Sequence, residues 1–242
     1  MSSKLRLFVL SSAFLAVATA AAASPSSGGA KAFGRTYGEW SAKWWQWLFS
    51  VPASENPFLG QGEVDCQINQ HGPVVFLAGA PTGTTAVRSC TVPAGKALFF
   101  PVLNGIYRNE PPENATVPEK RDILEKFFSD THPGFPADFG FPGVRACKVK
   151  ATLDGEPVNL KTPIVRVQSP PFFVDGGDDP VFPPANLVEP EAISEGFWVM
   201  LGPPSPGEHT LHFSGSFCEL ETSNDHPLFA PVSVTYTLTV SP

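Results

Sequence analysis

One helix leaves this chain little choice of architecture. Thr36 and Glu39 form a T-x-x-E capping box that opens it, Pro52 stops it, and between them stand Trp40, Trp44, Trp45, Trp47, Leu48 and Phe49. At about 100° per residue, Tyr37, Trp40, Trp44, Trp47, Leu48 and Val51 share one face. Trp45 and Phe49 fall beyond it, and Glu39, Lys43, Gln46 and Ser50 make a narrow polar strip. A helix apolar around so much of its girth has to be covered, and the rest of the chain reads as the sheet that covers it.

Short apolar runs bounded by turn residues recur at 72–79, 85–92 and 96–103, then at 144–153, 164–168, 197–201, 208–217 and 232–240. In the last run Val232, Val234, Tyr236, Leu238 and Val240 alternate with Ser233, Thr235, Thr237 and Thr239, the period of a half-buried antiparallel strand. A second T-x-x-E box, Thr116 to Glu119, opens a helix to about residue 129 with Ile123, Leu124, Phe127 and Phe128 on its apolar side. The expected fold is mainly β: an antiparallel β-sandwich, immunoglobulin-like or jelly-roll-like, with about two packed α-helices. A Pro/Phe/Gly stretch at 131–143 separates a Trp-rich part, 24–135, from an almost purely β part, 136–242. It reads either as a boundary or as a crossover within one continuous domain.

Residues 1–23 read as a cleavable signal peptide: Lys4 and Arg6, an apolar run, then small residues up to Ala23. Ser11, Ser12 and Thr19 interrupt the run, whereas a membrane anchor needs roughly 20 strongly apolar residues. The acting protein is thus expected to begin at Ser24, without a transmembrane anchor, and to be secreted or periplasmic. In such a compartment Cys66, Cys90, Cys147 and Cys218 read as two disulfides, Cys66 with Cys90 and Cys147 with Cys218. Each would stabilise the fold by about 3 to 4 kcal/mol in the chain-entropy treatment. The spacing suits no zinc site. A formal charge of −7, made more negative when Lys4 and Arg6 leave with the leader, makes nucleic acid and anionic membrane surfaces poor partners. Pro 27 and Gly 21 are high, but 42% hydrophobic against 16% charged residues argues for a folded, turn-rich chain.

Two stretches carry a resemblance. The segment from Pro206 to Gly215, with the closing Val-Thr-Tyr-Thr-Leu-Thr-Val run, resembles the last two strands of bacterial immunoglobulin-like or fibronectin-like sandwiches. Tyr37-Gly-Glu-Trp40, Trp44-Trp45-Gln-Trp47, the run at 72–79 and the run from Cys90 to Pro101 (with Val-Pro-Ala-Gly-Lys-Ala-Leu-Phe-Phe-Pro) are similar to a family of uncharacterised exported bacterial proteins. That similarity implies export and no particular activity.

The tryptophan cluster is the most distinctive feature, because aromatic faces stack on sugars and anchor protein partners. Core packing accounts for most of it; Trp45 and Phe49, off the main stripe, are the ligand-binding candidates. Glu63, Asp65 and His71 gather beside Cys66, where His71 would serve as a base oriented by Asp65 or Glu63. A solvated loop explains the same residues. His209 and His212, three apart on a strand, point to opposite faces and do not share a metal. Asp175, Asp178 and Asp179 offer oxygen ligands for calcium on a turn, and equally form a solvated turn. Asn114-Ala-Thr116 is a glycosylation sequon whose threonine already caps a helix. No G-x-S-x-G, P-loop, GxGxxG or H-E-x-x-H occurs, and no cofactor is implied. The leading expectation is an exported, non-catalytic binding protein of the cell envelope or extracellular space, its ligand a carbohydrate or protein. The alternatives are a secreted hydrolase with a site at Asp65 and His71, and a structural envelope component.

Overall fold

The computed structural model describes residues 31–128, 144–158, 164–219 and 231–242; the expected signal peptide at 1–23 and the dividing stretch at 131–143 lie outside them. Along the chain run α1 (Tyr37–Ser50), β1 (Gly62–Glu63), β2 (Val74–Phe76), β3 (Thr85–Pro93), β4 (Ala97–Tyr107) and α2 (Val117–Phe128). Then follow β5 (Val144–Leu153), β6 (Glu156–Pro157), β7 (Val165–Gln168), β8 (Phe172–Asp175), β9 (Val188–Leu201), β10 (Gly207–Glu219) and β11 (Val232–Ser241). The protein is mainly β, with two α-helices among the described residues and two sheets. One sheet runs β1-β3-β11-β10-β5-β6; the other runs β2-β4-β9-β7, with β8 added to β9.

The expected antiparallel pairing needs correction, because both sheets are mixed. β10 pairs antiparallel with β11 and β5, and β4 with β9, but β1 with β3, β3 with β11 and β2 with β4 run parallel. The reason is connectivity. A tight turn forces its two strands antiparallel, whereas β3 and β11 come from distant parts of the chain and no short turn dictates their sense.

Alternation along the strands separates two cores. Ala86, Val92, Leu211, Phe213, Tyr236 and Leu238 of the first sheet share a core with Leu98, Phe100, Val199 and Leu201 of the second, and the Phe100 and Phe213 rings stack at 4.9 Å. The intervening residues Ala97, Phe99, Trp198 and Met200 face the other way, onto α1. There Trp198 stacks on Phe99 at 5.2 Å and meets Trp44 edge-on at 5.5 Å. α1 is therefore buried nearly all round, as its composition requires. Both halves of its capping box are formed, and Lys43 and Ser50 of the polar strip stay exposed. Three indoles also tether loops: the N–H groups of Trp40, Trp44 and Trp47 donate to the carbonyls of Ala32, Leu77 and Ile68 at 2.7, 2.9 and 2.9 Å.

α2 is held by charge. Buried Lys120 meets buried Glu189 at 2.9 Å, and Glu189 also accepts the main-chain N–H groups of Asn109 and Glu191. Burial alone would raise Glu189, but these donors hold its carboxyl below the usual range. Glu195, fully buried, goes the other way: burial raises it, although Arg166 and Gln168 both bond to it. The two disulfides pair as expected, Cys66 with Cys90 and Cys147 with Cys218. Among the described residues no helix is long and apolar enough to cross a membrane.

The most connected buried cation is Arg88, on an inward position of β3 and 2% exposed. Its Nε donates to Gly60 O at 2.9 Å and its Nη2 to Phe58 O at 2.9 Å. Its Nη1 reaches Ala78 O, Gly79 O and the Tyr236 hydroxyl at 3.0, 2.8 and 2.9 Å, and that hydroxyl donates in turn to Ala78 O. Arg88→Met should leave these carbonyls buried and unpaired. The expected loss is about 3 to 5 kcal/mol, given about 1 to 3 per unsatisfied group. Arg88→Lys, which keeps the charge but not the fork, should recover only part of it. Urea denaturation measures both; a loss below about 1 kcal/mol in Arg88→Met contradicts the role given to this side chain.

Candidate functional site

The strand that shapes the site is β4. Up to Pro101 it pairs residue for residue with β9, and between Pro101 and Leu103 the register shifts. Such an irregularity bends a strand and re-aims its side chains. Immediately after it Asn104 lies opposite Gly196, and the strands are pinched: a Cβ at Gly196 would stand 2.6 Å from the Cα and Cβ of Asn104. No other residue fits there without moving the backbone.

Beside this pinch is a recess of about 270 Å³. Trp45 of α1, Pro101 to Ile106 of β4, Phe58, the turn at Gly79, Phe182 and Val232 line it. Its walls are largely apolar, yet two of its residues carry buried N–H groups without a partner: Trp45 Nε1 and Asn104 Nδ2. Next along β4 lies a hollow of about 370 Å³ that shares Gly105 and Ile106 with the recess and adds Arg108, Glu110 and Glu113. Arg108 packs its guanidinium over the Phe49 ring at 5.4 Å. Its Nη2 donates to Glu110 at 3.0 Å and to the carbonyls of Phe182 and Pro183, while its Nη1 has no partner. Asn109 Oδ1 is unpartnered as well. Buried polar groups are nearly always hydrogen-bonded, and each exception costs about 1 to 3 kcal/mol. Among the described residues there are five such atoms, and only the Trp198 N–H lies away from this end of the β4 strand, in the α1 core.

The residues singled out in the sequence fare differently. Trp45 and Phe49 are not the exposed stacking face that their position off the main stripe suggests: they are 4% and 5% exposed, packed against each other and against Phe182. The helix is covered on that flank too, so Trp45 contributes a wall and an N–H to the recess instead of an open ring. Glu63, Asp65 and His71 are all exposed, and no hydrogen bond joins His71 to either acid among the described residues. Asp65 Oδ1 accepts the N–H of Gln67, and Gln70 bonds to Cys66 and Phe76, so this loop is organised by its amides. Asp175 caps the N–H of Gly177, and Asp179 accepts from the N–H and hydroxyl of Ser54. No group of three or more metal-binding side chains occurs among the described residues. Asn114 is exposed, and the Thr116 hydroxyl and N–H both donate to the Glu119 carboxylate.

Asn104 and Arg108 were not flagged in the sequence, where the apolar run ends at residue 103. The available signal was two polar side chains at the end of an otherwise buried strand. The sequence also leaves unmarked a serine, histidine and aspartate in contact. His209 Nδ1 lies 2.7 Å from Asp154 Oδ2, and its Nε2 lies 3.3 Å from Ser205 Oγ. This is not a primed nucleophile. The carbonyl of Ser205, an acceptor only, is nearer at 2.9 Å, so Nε2–H donates to it. When the ring is protonated its Nδ1–H donates to Asp154 as well, and the histidine ties the Asp154–Gly155 turn to β10.

No family model, curated protein or solved structure matches the chain, and the functional reading therefore rests on geometry.

The histidines supply a test of the electrostatics. The Asp154 hydrogen bond, then the Ser205 carbonyl, raises His209 above its ordinary 6.5, whereas burial, then Lys150, lowers His212, whose Nδ1 meets Thr235 Oγ1 at 3.0 Å. The stability that His209 contributes is complete below pH 6.5 and disappears as pH rises through its folded value. Asp154, lowered chiefly by His209, contributes above 3.8 and loses its effect as pH falls through its folded value. In an NMR titration His209 should titrate above 6.5 and His212 below it, and Asp154→Asn should bring His209 down. A His209 value at or below 6.5 refutes the clamp.

Proposed function

We propose that the chain is an exported, non-catalytic binding protein of the cell envelope or extracellular space, and that its ligand seats in the recess between Trp45 and Asn104. The observation that carries this is the pair of unpartnered N–H groups in one largely apolar recess. A purely structural component has no use for such groups, and their cost is recovered when a ligand accepts from them. The leader at 1–23, the two disulfides and the absence of a membrane-spanning helix among the described residues support export. The scaffold is read as a β-sandwich with the β10–β11 pair as its immunoglobulin-like element.

Of the two ligand classes, carbohydrate and protein, the burial of the Trp45 ring favours protein. A sugar stacks on an open aromatic face, and at 4% exposure this ring has none. A group inserted from a partner needs only the recess.

The test is a glycan array together with a pull-down from envelope extract, using the mature chain, Trp45→Phe and Asn104→Leu. Trp45→Phe keeps an aromatic ring and removes the N–H at the cost of a small cavity beside Phe49 and Phe182, and Asn104 is partly buried, so binding is compared below the melting temperature measured for each variant. A bound partner should be retained by the parent and lost by at least roughly tenfold in each variant, the size of one hydrogen bond in a closed site. Binding that is indifferent to both substitutions, or no binding in either assay, removes the proposal.

A further inference from the structure

The recess is selective in what it offers. Its lining residues include no Asp, Glu, Lys, Arg or His. An indole N–H donates and cannot accept. The Asn104 side-chain nitrogen is buried and unpartnered and carries two N–H protons. The Gly79 carbonyl at its edge is already occupied by Arg88. A group seated there meets two buried, unpartnered donors, Trp45 Nε1 and Asn104 Nδ2, while the side-chain acceptors of the lining are the exposed Thr82 hydroxyl and the Asn104 amide oxygen. A carboxylate, with two oxygens and no proton, matches two donors better than a sugar hydroxyl, which also has a proton to place.

Charge and shape point the same way. Arg108 stands four residues beyond Asn104, just past the end of β4, with an unpartnered Nη1, and its Nη2 bonds to the carbonyl of Phe182, itself a wall of the recess. Its only carboxylate partner among the described residues, Glu110, is half-exposed. Phe58, Val102, Leu103, Ile106, Phe182 and Val232 would cover an apolar body, and about 270 Å³ holds a group of one residue's size.

Resting on the recess as the binding seat, we infer that its ligand is a carboxylate carried on a compact apolar body, with its oxygens on Trp45 Nε1 and Asn104 Nδ2. Two sources share that chemistry: a small free acid, and the free C-terminus of a partner chain ending in an apolar residue.

Calorimetry on the mature chain decides, with 4-methylpentanoate and 3-phenylpropionate against their primary amides, and a pentapeptide ending in leucine with a free or an amidated terminus. Each acid should bind at least roughly tenfold tighter than its amide, because bonds to an ionised acceptor are about twice as strong. Trp45→Phe and Asn104→Leu should each weaken the acid by roughly tenfold or more. A free-terminus peptide that outbinds both small acids identifies a protein end; the reverse order identifies a metabolite-sized acid. Equal binding of acid and amide, or acid binding unchanged in both variants, overturns the inference. If a partner from the array or pull-down depends on Trp45 but no acid displaces it, the seat stands and the carboxylate falls. If nothing depends on Trp45, both fall.

Discussion

Arg88 is a guanidinium buried without a carboxylate partner among the described residues, and the arrangement of the site depends on how it is satisfied. Its contacts go to four main-chain carbonyls and one phenol. An isolated charge in such a place would be very unfavourable, so the carbonyls of Phe58, Gly60, Ala78 and Gly79 have to converge on it. Two of those residues, Phe58 and Gly79, line the recess. Loops that would otherwise wander are thus fixed by the electrostatic demand of one side chain in β3, and Tyr236 in β11 couples that demand to the core shared by the sheets.

The helix side of the site follows from a different force. α1 is buried because it has almost no polar surface, and three of its indoles find carbonyls on the way in. Trp45 does not, although it is as buried as the rest. Packing by area sets no requirement on the N–H of a ring, so burial can leave a donor stranded. What distinguishes Trp45 from Trp198, stranded in the same way inside the α1 core, is that Trp45 borders empty space beside a second stranded donor.

Much of this organisation could be read along the chain. The capping box at Thr36, the Glu119 carboxylate reaching back to Thr116, the run at 144–153, the alternation at 232–240 and both disulfide pairs correspond to what the structure contains. What could not be read depends on contacts between distant residues. Parallel pairing of β3 with β11 follows from no local signal. Arg88 occupies an inward position between Ala86 and Cys90, which alternation marks as anomalous, but only the fold reveals that carbonyls gather there. Asn104 depends on the strand irregularity at Pro101 and on Gly196 across the sheet, more than 90 residues away in sequence. The exposed cluster of Glu63, Asp65 and His71 shows the converse: chemistry-bearing residues adjacent in sequence that the fold leaves without mutual hydrogen bonds.

The chain has five tryptophans, hence five indole N–H resonances in a ¹⁵N-labelled sample. Titrating that sample with 3-phenylpropionate reads the seat atom by atom. Trp45 should shift downfield as its N–H gains an acceptor, in step with the side-chain amide of Asn104, while Trp40, Trp44 and Trp47, already bonded to carbonyls, hold their positions. A Trp45 resonance that stays fixed at saturating acid contradicts the account.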